Sequence, residues 1–82
     1  MNITIKLFAL MREKAGTDLI RLQMPQDASA AQALEVLQRQ YPVLQPYIGR
    51  ARLAIQQNFV ETTTILQEGD ELALIPPVSG GK

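Results

Sequence analysis

The sequence predicts an α+β fold: a small mixed sheet of four to five strands with one main helix packed on one face. Apolar and polar residues alternate near both ends of the chain, which is the period of half-buried strands. A single longer stretch between them has apolar residues at helical spacing. The chain has only 82 residues, and one helix over one sheet face is the economical way to bury both patterns.

The first two strands are predicted to form a hairpin. Residues 2–8 alternate polar and apolar side chains, which places the aromatic Phe8 on the polar face. Residues 19–24 alternate in the same way after a glycine-containing connection. Pro25 has no N–H for a sheet hydrogen bond and therefore ends the second strand.

A capping signal marks the start of the helix. Ser29 and Gln32 have the spacing of a capping box, in which each side chain accepts a backbone N–H bond from the other residue. Apolar residues then recur at helical spacing: Ala30, Ala33, Leu34, Leu37 and Tyr41. Pro42 stops the helix, and we expect an irregular segment that turns Leu44 and Ile48 inward.

The second half of the chain predicts three more extended segments. A third strand covers 52–57, Asn58 begins a turn, and Val60 starts a short strand. The last strand is 71–75, with Ile75 on its outward face. The resulting order of strand, strand, helix, strand, short strand and strand is that of the β-grasp architecture, as in ubiquitin. We expect this domain to cover 1–76, followed by an extended flexible tail, 77–82.

Composition excludes several classes of function. Eight basic residues balance eight acidic ones without a basic stripe, so we expect no nucleic-acid binding. No apolar run approaches the length of a membrane span and no leader pattern precedes the first strand, so we expect a cytoplasmic protein. Cysteine and histidine are both absent, which removes thiol nucleophiles, imidazole catalysis and the usual zinc ligands. The chain is therefore expected to bind no metal and to be no enzyme on its own.

The tail is the chemically distinctive segment. Two prolines hold the chain extended, and two glycines remove every side chain near the end. Five residues from Pro77 to Gly81 span at most about 17 Å, enough to enter a narrow pocket of a partner. Terminal glycines alone are more often a frayed end. Their position directly after Pro-Pro-Val-Ser and the last strand of a β-grasp pattern favours a function.

These motifs resemble a known family. Residues 69–81, a Gly-Asp-Glu turn, an apolar strand, Pro-Pro-Val-Ser and Gly-Gly, are similar to the C-terminal signature of molybdopterin synthase small subunits. The opening segment is also similar in Leu7, Phe8, Ala9, Arg12, Glu13 and Gly16. The resemblance extends over essentially the whole chain. One departure is Gln56, where the family usually has asparagine.

The resemblance implies a sulfur carrier in molybdenum cofactor biosynthesis. An adenylyltransferase related to ubiquitin-activating enzymes would use ATP to adenylate Gly81, which then becomes a thiocarboxylate. The chain itself would bind no cofactor permanently. Its tail, including Pro77, Val78, Ser79 and Gly80, would enter the active site of a large subunit. There it would donate sulfur to cyclic pyranopterin monophosphate within a heterotetrameric synthase.

Lys82 departs from the family pattern, in which the second glycine is terminal. An amide bond to Lys82 leaves Gly81 without a free carboxylate, so the chain as written cannot be adenylated there. Three explanations stay open: a protease removes Lys82, the gene does not encode it, or this member has lost the carrier function.

Three apolar residues are predicted to dock the partner. Phe8, Phe59 and Ile75 lie off the core face by strand period, and the family uses apolar residues at matching positions to contact the large subunit. The alternative is a satellite cluster beneath a loop, and for Phe59 the turn geometry leaves both interpretations open. Four basic residues are interpreted as solvated charges or as contacts for acidic partner groups: Arg12, Lys14, Arg50 and Arg52.

Other functions fit the same sequence. A carrier for thiamine synthesis or tRNA thiolation shares the fold and the Gly-Gly end. A ubiquitin-like modifier would conjugate to lysines, with Lys82 as its processing residue. A non-covalent β-grasp interaction module with an inert tail belongs to a different class. Adduct formation, and the identity of the partner that co-purifies, distinguish these alternatives.

Overall fold

Five strands form one mixed sheet in a computed structural model that describes residues 1–77. The strands are β1 (Asn2–Leu7), β2 (Leu19–Gln23), β3 (Arg52–Ile55), β4 (Asn58–Val60) and β5 (Glu71–Ile75). Their order in the sheet is β2-β1-β5-β3-β4, in which β1 and β5 run parallel and the other neighbours antiparallel. The predicted tail residues Val78, Ser79, Gly80, Gly81 and Lys82 lie outside the described residues.

The helices are α1 (Ala9–Ala15), α2 (Ala30–Gln40) and α3 (Gln45–Ile48), with a 3₁₀ turn at Pro42–Leu44 before α3. The described part of the chain contains no helix with the length and apolar character needed to cross a bilayer. Because α2 is the longest helix and buries one side in the core, the predicted α+β arrangement is confirmed.

The core lies between the sheet and the helices. Alternate residues of the two central strands supply its floor, and Ile5, Leu72 and Leu74 are completely buried. Leu7 pairs with Leu74 across the parallel β1–β5 ladder, and the buried side of α2 covers this face. Each large apolar side chain buried there contributes about 1.5–3 kcal/mol relative to an exposed one. The predicted inward faces of the first and last strands are therefore confirmed.

The predicted capping box is present at the start of α2. The Ser29 hydroxyl oxygen accepts the backbone N–H of Gln32 at 3.2 Å, and the Gln32 side-chain oxygen accepts that of Ser29 at 2.8 Å. The helix ends at Gln40, two residues before Pro42. These hydrogen bonds satisfy two N–H groups that would otherwise lack partners at the helix N-terminus.

The connection between β1 and β2 contains a helix that the sequence pattern did not predict. α1 has only seven residues and buries only Met11, so it offers too few apolar positions for a periodicity to be visible. Gly16 ends it with φ 79°, and its N–H donates to the Arg12 carbonyl at 3.0 Å. This left-handed conformation is one that glycine adopts without strain.

Two further predictions need correction. The segment after Pro42 is helical rather than irregular, although Leu44 and Ile48 are buried as expected. The turn expected at Asn58 is formed by Gln56 and Gln57, since Ile55 already pairs with Asn58. Short hairpins are fixed by turn geometry rather than by apolar pattern, and neither glutamine is a usual turn residue.

Candidate functional site

The sheet face that points away from α2, the open face, carries a row of four paired residues. Lys6 pairs with Ala73, Ala73 with Ala54, and Ala54 with Phe59, so the row crosses β1, β5, β3 and β4. Directly paired residues project on the same side of a sheet. Because their neighbours Leu7, Leu53 and Leu74 are buried in the core, all four side chains project to the open face.

Small residues leave a depression of about 530 Å³ in the open face. Ala54 and Ala73 lie side by side in this face, where their methyl groups fill little space. The depression is lined by Lys6, Phe8, Ala54, Gln56, Gln57, Glu71, Ala73 and Ile75. Two of the three predicted docking residues, Phe8 and Ile75, therefore border the same hollow. The depression is open and shallow, and its shape suits the entry of a protruding side chain of a partner.

Phe8 lies where a polar residue would favour folding. It is the N-cap of α1 and makes no side-chain capping hydrogen bond. Serine or aspartate at an N-cap stabilises a helix by about 1 kcal/mol relative to a residue that cannot accept this bond. Phe8 is half-buried at the edge of the depression, and the Lys6 Nζ lies 5.5 Å from the centre of its ring. The Phe8 ring therefore contributes to the surface of the open face and makes no capping hydrogen bond to α1.

Phe59 is the most exposed of the predicted docking residues, with 58% of its surface accessible. The guanidinium carbon of Arg52 lies 3.7 Å from the ring centre. Arg52 also pairs with Ile75 across the β3–β5 ladder. Phe59 and Ile75 thus lie on the same face on either side of Arg52. Together with Ala54 and Ala73, the three predicted apolar residues form one apolar patch (Phe8, Ala54, Phe59, Ala73 and Ile75).

The predicted tail begins beside this patch. Ile75 is the last residue of β5, a central strand held by β1 on one side and β3 on the other. Pro76 and Pro77 follow and line a second groove, of about 230 Å³, with Leu10, Met11, Tyr47 and Arg50. The chain therefore leaves the domain from a rigid strand at the edge of the apolar patch. The predicted chemical position, Gly81, and the tail residues Val78, Ser79 and Gly80 lie outside the described residues.

The open face carries residues that strand periods alone did not single out. Ala54, Ala73 and Lys6 border the depression, and Arg52, interpreted above as a solvated charge or a contact for an acidic partner group, lies over Phe59. The registers of β1 against β5, of β5 against β3 and of β3 against β4 bring these residues together. Two of these registers pair residues distant in sequence, so one sequence without a known fold does not reveal them.

At the end of the sheet opposite Phe8, the charged Glu68 side chain holds two segments of the fold together. Glu68 accepts the backbone N–H of Asn2 at 3.0 Å and its side-chain N–H at 3.1 Å. These two hydrogen bonds lower the pKa of the Glu68 carboxyl, the backbone bond most. They tie the turn before β5 to the start of β1, the end opposite Phe8. Residues 1–77 contain no cluster of three or more acidic, histidine or cysteine side chains that could hold a metal ion.

Known proteins similar to this chain in sequence and fold carry sulfur-carrier and modifier names. The molybdopterin synthase sulfur carrier subunit of Arabidopsis thaliana is 35% identical over 99% of this chain and 84% of its own length. The crystal structure of small archaeal modifier protein 1 (SAMP1) from Haloferax volcanii superposes with a TM-score of 0.90. It is 30% identical and is covered completely, against 99% of this chain.

A third likeness is to a complex. One chain in the protein–protein complex of subunits 1 and 2 of the molybdopterin-converting factor from Helicobacter pylori has a TM-score of 0.71. It is 21% identical, with 99% of this chain and 100% of that chain covered, so the likeness shows the shared fold. The ubiquitin-like β-grasp fold predicted from the sequence is confirmed by these structures. The sequence pattern of the ThiS family matches residues 5–81, and the chain belongs to that family.

Proposed function

We propose that this protein is the sulfur-carrier subunit of a molybdopterin synthase. The single observation that carries the proposal is the position of the apolar patch beside the root of the tail. Ile75 belongs to the patch and ends β5, so a partner bound to the patch receives the following residues in a defined direction. Full-length similarity to a molybdopterin synthase sulfur carrier subunit supports it.

The proposed chemistry takes place on the carboxylate of Gly81. With Lys82 removed, an adenylyltransferase of the ubiquitin-activating type uses ATP to form an acyl adenylate, and pyrophosphate leaves. A sulfur donor then attacks the activated acyl carbon and AMP leaves, which leads to the thiocarboxylate. The chain has no cysteine and so cannot carry sulfur as a persulfide. Its terminal carboxyl group is therefore the proposed attachment point.

The proposed partner is the large synthase subunit. It docks on Phe8, Phe59 and Ile75, while Pro77, Val78, Ser79 and Gly80 extend into its active site. The thiocarboxylate then donates sulfur to cyclic pyranopterin monophosphate, and two rounds complete the dithiolene of molybdopterin. A shallow depression bordered by the half-buried Phe8 and Ile75, with the exposed Phe59 on the same face, supports docking of a protein surface. The Helicobacter pylori protein of the same fold forms a complex with a second subunit.

The test compares two chains, one ending at Gly81 and one retaining Lys82. Each is incubated with ATP, a sulfide donor and the adenylyltransferase of the same organism, and its intact mass is measured. We expect replacement of one oxygen by sulfur only in the chain that ends at Gly81. That product should then convert cyclic pyranopterin monophosphate to molybdopterin when the large subunit is added. Thiocarboxylate without molybdopterin would favour a carrier for thiamine synthesis or tRNA thiolation.

A second candidate function is that of a protein modifier. Its support is the likeness to an archaeal modifier protein, which is 30% identical and superposes over nearly the whole chain. In that case Gly81 would form an isopeptide bond with lysines of other proteins. Mass spectrometry of tryptic digests from the native host would find residues 53–81 attached to those lysines, because Arg52 is the last tryptic cleavage site before Gly81. Their absence, together with molybdopterin formation, would exclude this candidate.

A further inference from the structure

Arg52 is the cation most closely associated with the apolar patch. Its guanidinium carbon lies 3.7 Å from the centre of the Phe59 ring, whereas Lys6 lies 5.5 Å from that of Phe8. The first distance places the guanidinium over the face of the ring in direct contact. Cation–π stacking of this kind holds an arginine side chain in place at a surface.

The stacked position determines which atoms Arg52 presents to a partner. A guanidinium that lies over a ring uses its face for the contact and keeps the N–H groups at its edge available. Those N–H groups form a planar fork that matches the two oxygens of a carboxylate. Because Phe59 already restrains the side chain, less conformational entropy is lost when a carboxylate binds.

The neighbours of Arg52 place this cation inside the docking surface. Arg52 pairs with Ile75 of β5, and Ala54, two residues further along β3, pairs with Phe59 of β4. Glu61 lines the small hollow beside Arg52 and Phe59, and Glu71 borders the depression near Lys6. The surface thus has an apolar centre, a cation over each of its two aromatic rings, and two carboxylates at its border.

We propose that Arg52, held on Phe59, recognises a carboxylate of the large synthase subunit when that subunit docks on the apolar patch. The partner then presents an apolar side chain to the depression and an aspartate or glutamate beside it. Arg52 acts as a specificity-determining residue for the partner, and Phe59 acts as its positioning residue. This inference rests on the proposed function, since it takes the large subunit as the protein that covers the patch.

The experiment measures the affinity of the full chain for the large subunit of the same organism by calorimetry, at two salt concentrations. Arg52→Leu should weaken binding about tenfold at low salt and reduce its salt dependence, because a desolvated charge pair is lost. Arg52→Lys keeps the charge but loses the planar fork, so it should weaken binding less while retaining the salt dependence. Arg21→Leu is the matched control. Arg21 lies on β2, three strands away from Arg52, and its substitution removes the same charge from the same open face of the sheet.

A double-mutant cycle tests the role of Phe59. Arg52→Leu should cost at least threefold less affinity in a Phe59→Leu background than in the wild-type chain, because the guanidinium is no longer held there. Thermal unfolding of each variant verifies that it is folded. If Arg52→Leu and Arg21→Leu bind alike and with equal salt dependence while the wild-type chain binds, the role of Arg52 is wrong and the proposed function stands. If the wild-type chain does not bind the large subunit, both are overturned.

Discussion

Ala54 and Ala73 lie directly opposite each other in β3 and β5, near the middle of the open face. Their methyl groups are too small to fill the space between Lys6 on one side and Phe59 on the other, which continue the same row. The depression in the open face is a consequence of this pair. A larger residue at either position would remove it.

Ala73→Leu should fill the depression and weaken binding of the large subunit at least tenfold. Ala73 is half-buried on the open face, so the added atoms occupy the hollow and do not overpack the core. Isothermal titration of the variant against the large subunit measures the effect. Thr4→Leu, which adds an apolar side chain to the same face outside the depression, is the control. Equal affinity of both variants would show that the partner does not use the hollow.

Phe8→Asp should abolish binding of the large subunit and leave the fold intact or more stable. The aspartate removes the aromatic ring from the apolar patch and places a hydrogen-bond acceptor at the N-cap of α1, where Phe8 makes no side-chain capping bond. Co-elution in size-exclusion chromatography and the melting temperature report the two effects separately. Phe8→Ala removes the ring without adding a cap or a charge. If Phe8→Asp still co-elutes with the partner, Phe8 does not belong to the docking surface.

The β3–β4 hairpin should become more stable when its turn receives the residues that its geometry favours. Gln56 and Gln57 have φ values of 51° and 68°, and asparagine followed by glycine adopts such a turn most readily. The double substitution Gln56→Asn, Gln57→Gly should raise the free energy of unfolding by about 1 kcal/mol. Urea denaturation measures this value.

Gln57→Ala is the control for that substitution. Alanine keeps the steric penalty of positive φ, so this variant should show no comparable gain. A gain as large as that of the double substitution would mean that the glutamine side chains, not the backbone, limit the stability of the hairpin. Because both glutamines border the depression, the same variants also measure whether the partner contacts the turn.

The contact between Glu68 and Asn2 should make stability depend on pH in the acidic range. The hydrogen bonds from Asn2 lower the pKa of Glu68 in the folded chain, so folding is favoured at pH values above the ordinary glutamate pKa. This contribution is lost as the pH falls through the lower, folded-state pKa. Urea denaturation at a series of pH values should show a smaller acid-induced loss for Glu68→Gln than for the wild-type chain. Glu35→Gln, on the exposed side of α2, controls for the removal of one negative charge, and equal losses in both variants would contradict the prediction.

Sequence patterns were sufficient for the parts of the fold that repeat a period over many residues. The alternation at 2–8 and 71–75 predicted β1 and β5, and the capping signal at Ser29 placed the start of α2 correctly. The helix α1 was missed because a seven-residue helix with one buried side chain shows no period. The turn at Gln56 was missed because its backbone conformation is imposed by the pairing of β3 with β4, against the preference of the residue.

The candidate site was predictable only in part, for a related reason. Outward-facing apolar residues such as Phe8 and Ile75 are visible in a strand pattern because they break its polar face. Ala54 and Ala73 are not, since alanine fits either face of a sheet and their proximity depends on the strand order. The contact of Arg52 with Phe59 also depends on the hairpin register, so charge pattern alone could not decide between a solvated charge and a contact for an acidic partner group.

The central position of β5 has a consequence for the order of events during synthesis. β5 is the last strand along the chain, yet it lies between β1 and β3 and joins two halves of the sheet that are not otherwise paired. A nascent chain therefore cannot complete its sheet until residue 75 has emerged from the ribosome, and contacts between residues so distant in sequence form slowly. The sheet is thus completed by the same strand that carries the tail, so the tail is presented on a folded domain. An activating enzyme that needs the folded surface would therefore act only after β5 has joined the sheet.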